Sequence, residues 1–181
     1  MRILPEDQAV LDHVVGRGPA LIARAVDWSH LNSGSRNTPG LMTVLAALEA
    51  EVREALPEAT MERVTTADSV SVGDDGATRT ETYAPALRIS MRPEASVQVV
   101  LTGHYDTVYP AESVFQTVRT RADGALNGPG IADMKGGISV LLGALEAFET
   151  RPGREGVGWT ALLSPDEEIG SPGSAPLLAE L

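Results

Sequence analysis

A chain of 181 residues, 43% of them apolar, is long enough to bury one core and too polar to be read as a membrane protein; no apolar run approaches the roughly 18–20 residues that a membrane helix needs. The net charge of −11, from 25 acids against 14 bases, opposes nucleic acid and anionic membrane as partners. The absence of cysteine excludes disulfides and thiolate metal sites, so a metal would have to be held by histidine and carboxylates.

The N-terminal stretch MRILPEDQAV shows no secretory signal, which points to the cytoplasm. Pro5–Val15 reads as a short helix that Gly16-Arg17-Gly18 interrupts, and Pro19–Trp28 as its resumption. Asn32–Asn37 (NSGSRN) is a polar loop, after which Thr38 as N-cap and Pro39 at the first helical position open a helix. Leu41, Val44, Leu45, Leu48 and Val52 recur on one face of that helix, which should end near Leu56-Pro57. Met61–Val72 reads as one strand, Gly73–Gly76 as a turn and Leu87–Met91 as a second strand. Arg92–Ala95 reads as a hairpin loop into a buried central strand, Val97–Gly103. Asp123-Gly124 and Asn127-Gly128 mark turns in an irregular stretch after it. Ile138, Leu141, Leu142, Leu145 and Phe148 make a second amphipathic helix. Arg151–Gly158 is a loop, Trp159–Leu163 a further strand, and a last short helix opens near Ser171–Ser174. Strands alternating with helices define a layered α/β fold.

Three stretches carry chemistry. The first is LTGHYDTVYP, Leu101–Pro110, at the end of the Val97–Gly103 strand. In extended backbone alternate side chains share a face, so His104 and Asp106 lie side by side. Asp106 can then hold one ring nitrogen of His104 and leave the other for a metal. The plainer alternative is a solvated strand end. The second is NGPGIADMKGG, Asn127–Gly137, which delivers Asp133 just before a helix. It reads as an N-cap or as a loop carboxylate with two oxygens free to bridge metal ions. Neither GxGxxG nor GxxxxGK[ST] is present, which argues against a phosphate loop. The third is SPDEEIGSPGS, Ser164–Ser174, where Asp166, Glu167 and Glu168 follow an apolar strand. Adjacent like charges are costly unless they are solvated or meet a cation.

Taken in order, GHYDTVY, NGPGIADMKGG and SPDEEIGSPGS resemble the three N-terminal signatures of the co-catalytic zinc peptidases and deacylases. That family includes glutamate carboxypeptidases, acetylornithine deacetylase, succinyl-diaminopimelate desuccinylase and aminoacylases; the glutamate carboxypeptidase branch is nearest. The resemblance covers about residues 97–175 and implies a mixed central sheet between helices, as in a zinc-peptidase catalytic domain. It implies that His104 binds one zinc and Asp106 orients it. Asp133 would bridge two zincs across a cis Asp133–Met134 peptide, Glu168 would bind the second zinc, and Glu167 would be the general base. The expected cofactors are two Zn2+, with Co2+ or Mn2+ as alternatives. The expected reaction is amide hydrolysis by a water shared between the zincs, on a small peptide or an N-acyl amino acid.

The motif set departs from the family in one respect. The resemblance implies an acid some twenty residues beyond Glu168 and a late histidine, and neither is in this sequence. His13 and His30 lie in the helical N-terminal region and read as ordinary residues. Residues 1–181 are therefore expected to be the N-terminal part of the catalytic domain, without its remainder and without the family's dimerisation domain. Such a piece is expected to be inactive by itself, and the full-length protein to be a homodimer. The competing class is a non-catalytic relative or half-protein that acts as a binding or assembly module.

Overall fold

A computed structural model describes residues 3–181; the first two positions of the stretch read for a signal lie outside the described residues. The elements run α1 (Pro5–Ser29), α2 (Thr38–Ala55), β1 (Thr60–Val64), β2 (Ser69–Val72), β3 (Thr78–Glu81), β4 (Ala86–Met91) and β5 (Val97–His104). They continue with β6 (Arg119–Thr120), β7 (Leu126–Asn127), α3 (Gly136–Phe148), β8 (Val157–Ser164) and α4 (Ala175–Ala179). The expected α/β architecture is present. The main sheet has the order β1-β4-β8-β5, with β5 and β8 parallel and the other pairs antiparallel. It is therefore a mixed sheet, and the β5-to-β8 connection carries α3, as a parallel pair requires.

The core lies on one face of this sheet. Leu41, Val44, Leu45, Leu48 and Val52 of α2 meet Ile138, Leu142 and Leu145 of α3 over Leu87, Ile89, Trp159, Ala161 and Leu163. A smaller cluster on the other side packs Ala86 and Leu162 against Leu177 of α4. Strand β8 is buried along nearly its whole length, which fits its Trp-Thr-Ala-Leu-Leu run.

The structure corrects several expectations. Helix α1 does not break at Gly16–Gly18 but runs through Pro19. Side-chain ties across the α1–α3 seam hold it: Arg17 pairs with Glu146 at 2.9 Å, and Ser139 Oγ donates to the Leu21 carbonyl at 2.7 Å. Gly143 lets the helices close, since a Cβ there would lie 2.9 Å from a Leu21 methyl. The cap of α2 is Asn37 rather than Thr38, its side chain accepting from Gly40 N at 3.2 Å. The stretch Met61–Val72 is not one strand. It divides into β1, which joins the main sheet, and β2, which pairs with β3 around the Gly73–Gly76 turn.

Strand β5 is neither central nor the partner of β4. β8 occupies the place between them, so Arg92–Ala95 is a turn but not a hairpin loop. Arg92, the first residue of that turn, ties it to the rest of the fold, donating to both oxygens of Glu149 at 2.6 and 2.7 Å and to the Val157 carbonyl at 2.7 Å. Among the described residues β5 pairs with β8 alone, and Val97, Val99 and Val100 are each more than 40% exposed. A valine-rich run has the look of a strand buried on both faces, and here it forms a sheet edge.

Candidate metal centre

The parallel pairing of β5 with β8 brings His104 opposite Ser164, so the first and third motifs emerge side by side at the carboxyl ends of neighbouring strands. This is where α/β sheets collect functional groups. The second motif arrives through an irregular turn at Ile131–Lys135, directly before α3. Gly130 opens that turn at φ +69°, and a Cβ there would come within 2.8 Å of Thr107. Asp133 is extended, at φ −127° and ψ 100°, and the Asp133–Met134 peptide is cis. Asp133 is therefore not an N-cap; Lys135 occupies that position in α3.

One ligand atom from each of His104, Asp133 and Glu168 falls within 4.8 Å of the others. His104 Nε2 meets Asp133 Oδ1 at 3.0 Å and a Glu167 oxygen at 3.7 Å. His104 Nδ1 meets Asp106 Oδ1 at 3.2 Å. All five residues singled out in the sequence thus converge. His13 and His30 do not join them: among the described residues this is the one group of three or more potential ligands, and His30 Nε2 accepts from Val118 N.

Asp106 is wholly buried and binds more than the histidine. Its Oδ1 also accepts from Glu167 N at 3.2 Å, and its Oδ2 accepts from Glu168 N at 3.1 Å and from Ser35 Oγ at 2.7 Å. One carboxylate therefore joins the end of β5, the Glu167–Ile169 turn and the loop before α2. The Ser33–Ser35 segment reaches it by running alongside Thr107, with Thr107 N donating to Ser33 O and Ser35 N to Thr107 O.

The three consecutive acids have separate fates. Asp166 points inward and is buried, accepting from Gly173 N, Ser174 N and Ser174 Oγ, which folds the chain back towards α4. Glu167 and Glu168 turn outward to the cluster. Burial holds the Glu168 carboxyl above its ordinary range; His104 opposes this, while Asp133, Asp106 and Glu167 add to it. Burial also works against charging His104, but Asp106, Asp133 and Glu167 outweigh it and raise the imidazole to about 9. The His104 shift reflects the carboxylates around it and the Glu168 shift reflects burial first and neighbouring carboxylates second; a nearby divalent cation would oppose both.

Sequence reasoning missed Ser35 and the roles of Asp166 and Lys135. Lys135 is 1% exposed, and its ammonium donates to the carbonyls of Trp28 at 3.0 Å and Leu31 at 2.7 Å. Burial pushes it down to about 8. Its sequence signal was available: a cation in the first turn of a helix runs against the helix dipole. Beside the cluster opens a cavity of about 480 Å³, with Ser35, Arg36, Val108, Pro110 and Glu168 among its walls.

Residues 100–181 match the model of peptidase family M20/M25/M40, which bears out the resemblance carried by the three motifs. The chain is 38% identical over 79 residues to succinyl-diaminopimelate desuccinylase 2 of Shewanella loihica, covering 41% of this chain and 21% of that protein. It is 28% identical over 175 residues to carboxypeptidase G2 of Pseudomonas sp. strain RS-16, covering 96% and 39%. The chain thus spans between about a fifth and two fifths of the curated relatives it matches. Similar solved structures include the di-peptidase Dug1p of Saccharomyces cerevisiae, at TM-score 0.70 and 16% identity over 94% of this chain and 36% of that one. Human carnosine dipeptidase 1 gives 0.68 and 19% over 96% and 37%, and the M20 family metallo-carboxypeptidase Sso-CP2 of Sulfolobus solfataricus gives 0.65 and 17% over 88% and 34%. At such identities the structures establish a shared fold. Among the described residues no helix is long and apolar enough to cross a membrane.

Proposed function

We propose that this chain carries part of the metal centre of an amide hydrolase that cleaves a peptide or an N-acyl amino acid. The observation behind this reading is the convergence of one imidazole and two carboxylates within 4.8 Å, with a further carboxylate, Glu167, 3.7 Å from the same imidazole. One nitrogen and several oxygen donors, with no thiolate, form a set that suits Zn2+, Co2+ or Mn2+. His104, Asp133 and Glu168 would hold the metal, with Asp133 shared between the ions if there are two. A divalent ion there supplies charge that polarises an amide carbonyl and acidifies water.

The remaining work falls to this chain's own groups. Glu167 takes a proton from the attacking water and returns it to the departing amine nitrogen, which leaves as the free amine. Asp106 keeps the proton of His104 on Nδ1, which would leave Nε2 free to bind the metal. The cavity beside Glu168 accommodates a group flanking the scissile bond. Carboxypeptidase G2, matched over 96% of this chain, favours the peptide form of the reaction and the desuccinylase the N-acyl form.

The test uses the full-length gene product. Metal analysis should find two divalent ions per chain, and a panel of dipeptides and N-acyl amino acids should be hydrolysed. Glu167→Gln should retain the metal and lose turnover by at least a hundredfold. Near-wild-type hydrolysis by Glu167→Gln would remove Glu167 from the mechanism. A folded full-length protein without metal or hydrolysis would instead support a binding or assembly module.

A further inference from the structure

We infer that Lys135 is a positioning residue: its buried ammonium, seated on the carbonyls of Trp28 in the last turn of α1 and of Leu31 just beyond its cap, fixes the backbone that presents Asp133. The inference rests on the metal reading of the Asp133 site. The side chain of Asp133 is 77% exposed, and among the described residues its one hydrogen-bond partner is His104 Nε2. A carboxylate so placed does not hold itself; its position is set by the backbone on either side.

That backbone is fastened three times within six residues. Gly130 turns the chain at positive φ, and Lys135 N donates back to Gly130 O at 2.8 Å. Met134 wedges its methyl between Gly103 and Gly137 while its sulfur accepts from His104 N at 3.3 Å. Lys135 then crosses to α1 and donates to Trp28 O and Leu31 O. Trp28 O belongs to the last turn of α1, the negative end of its dipole, where a cation is favoured, and Leu31 O follows just beyond the cap. Among the described residues no carboxylate pairs with Lys135, so the helix end is its counter-charge.

The connection continues on the far side. Leu31 leads into the loop whose Ser33 carbonyl accepts from Thr107 N and whose Ser35 hydroxyl donates to Asp106. Lys135 thus joins the loop that carries Asp133 to the loop that supports Asp106. Removing a group that orients a metal ligand typically weakens the metal by 10–100-fold. A lysine serving only to fill the core would alter stability and leave affinity unchanged.

The experiment uses the full-length gene product with Zn2+ and Co2+ as probes. Lys135→Met keeps the apolar stem and removes the donors. It should fold by circular dichroism, bind Zn2+ about 10–100-fold more weakly by calorimetry, and change the visible absorption of bound Co2+. On the wild type, adding Zn2+ should slow hydrogen exchange at the amides of residues 28–35. Affinity within twofold and an unchanged Co2+ spectrum in Lys135→Met overturn the inference even if its melting temperature falls. Should that variant not fold, the exchange measurement decides: no slowing at residues 28–35 overturns it. Wild-type protein that binds neither ion refutes the metal reading itself, whereas normal wild-type binding with an unaffected variant refutes only the role of Lys135.

Discussion

Replacing Asp106 by asparagine changes one atom and should disturb three parts of the site. The buried carboxylate accepts from four donors, two on each oxygen: His104 Nδ1 and Glu167 N on Oδ1, Ser35 Oγ and Glu168 N on Oδ2. Asparagine has one acceptor oxygen. Whichever way its amide is turned, an NH2 group faces two donors, and one of the two glutamate amides loses its partner. A hydrogen bond to a charged acceptor contributes about 1.5–3 kcal/mol, and each 1.4 kcal/mol is a factor of ten. One of the amides of Glu167 and Glu168 should therefore exchange about 10–100-fold faster in the metal-free full-length Asp106→Asn protein. Zn2+ affinity should fall by a similar factor, because His104 Nδ1 then faces an NH2 group or, at best, a neutral amide oxygen in place of the carboxylate that fixes its tautomer. Exchange is followed by NMR and affinity by calorimetry. Exchange within twofold of wild type at both amides, together with unchanged affinity, would show that Asp106 does not organise the turn.

Two further predictions concern the scaffold. Burial alone would raise the Glu149 carboxyl, but two hydrogen bonds from Arg92 and one from Trp159 Nε1 bring it below its ordinary 4.5. A carboxyl depressed in the folded state stabilises above its unfolded value, and that contribution is lost as pH falls from about 4.5 through the folded value. Thermal unfolding between about pH 3 and 7 should show this loss in the wild type and a flatter acid limb in Glu149→Gln; identical limbs would contradict the assignment. On the α1–α3 seam, Arg24 donates to Glu51, Glu146, Ser139 Oγ and the Ser139 carbonyl. Arg24→Met should destabilise by about 3–5 kcal/mol in urea unfolding, since it leaves a buried carboxylate and carbonyl short of donors. A loss below 1 kcal/mol would mean that Arg17 alone satisfies Glu146.

The site was more legible in the sequence than the sheet that carries it. His104 and Asp106 could be placed because period-two geometry is a property of any extended strand, whatever its neighbours. Glu167 and Glu168 stood out because adjacent like charges after an apolar strand must be solvated or meet a cation, and the resemblance of the three motifs selected the second. The place of β5 in the sheet could not be read in the same way. A run of valines records that a strand is apolar, and it does not record how many strands flank it. The insertion of β8 between β4 and β5 is made by long-range pairing, Met91 with Trp159 and Val97 with Val157, to which Arg92 adds bonds to Glu149 and Val157, 57 and 65 residues away in the chain. Likewise Gly16-Arg17-Gly18-Pro19 has the local signature of a break, and only the ties to α3 overrule it.

The two charged residues that the sequence left without a role share one physical trait, a charged group placed where its local rule disfavours it. Asp166 is a buried acid within an acidic run, and Lys135 is a cation at the positive end of α3. Each departure is compensated by distant backbone: the amides of Gly173 and Ser174 for Asp166, the carbonyls of Trp28 and Leu31 for Lys135. Charged side chains therefore close the loops around the cluster by binding main-chain groups rather than one another. Main-chain partners cannot be removed by a side-chain substitution, and they bring no second charge near the cluster. The charges that act on Glu168 are then those of His104, Asp133, Asp106 and Glu167.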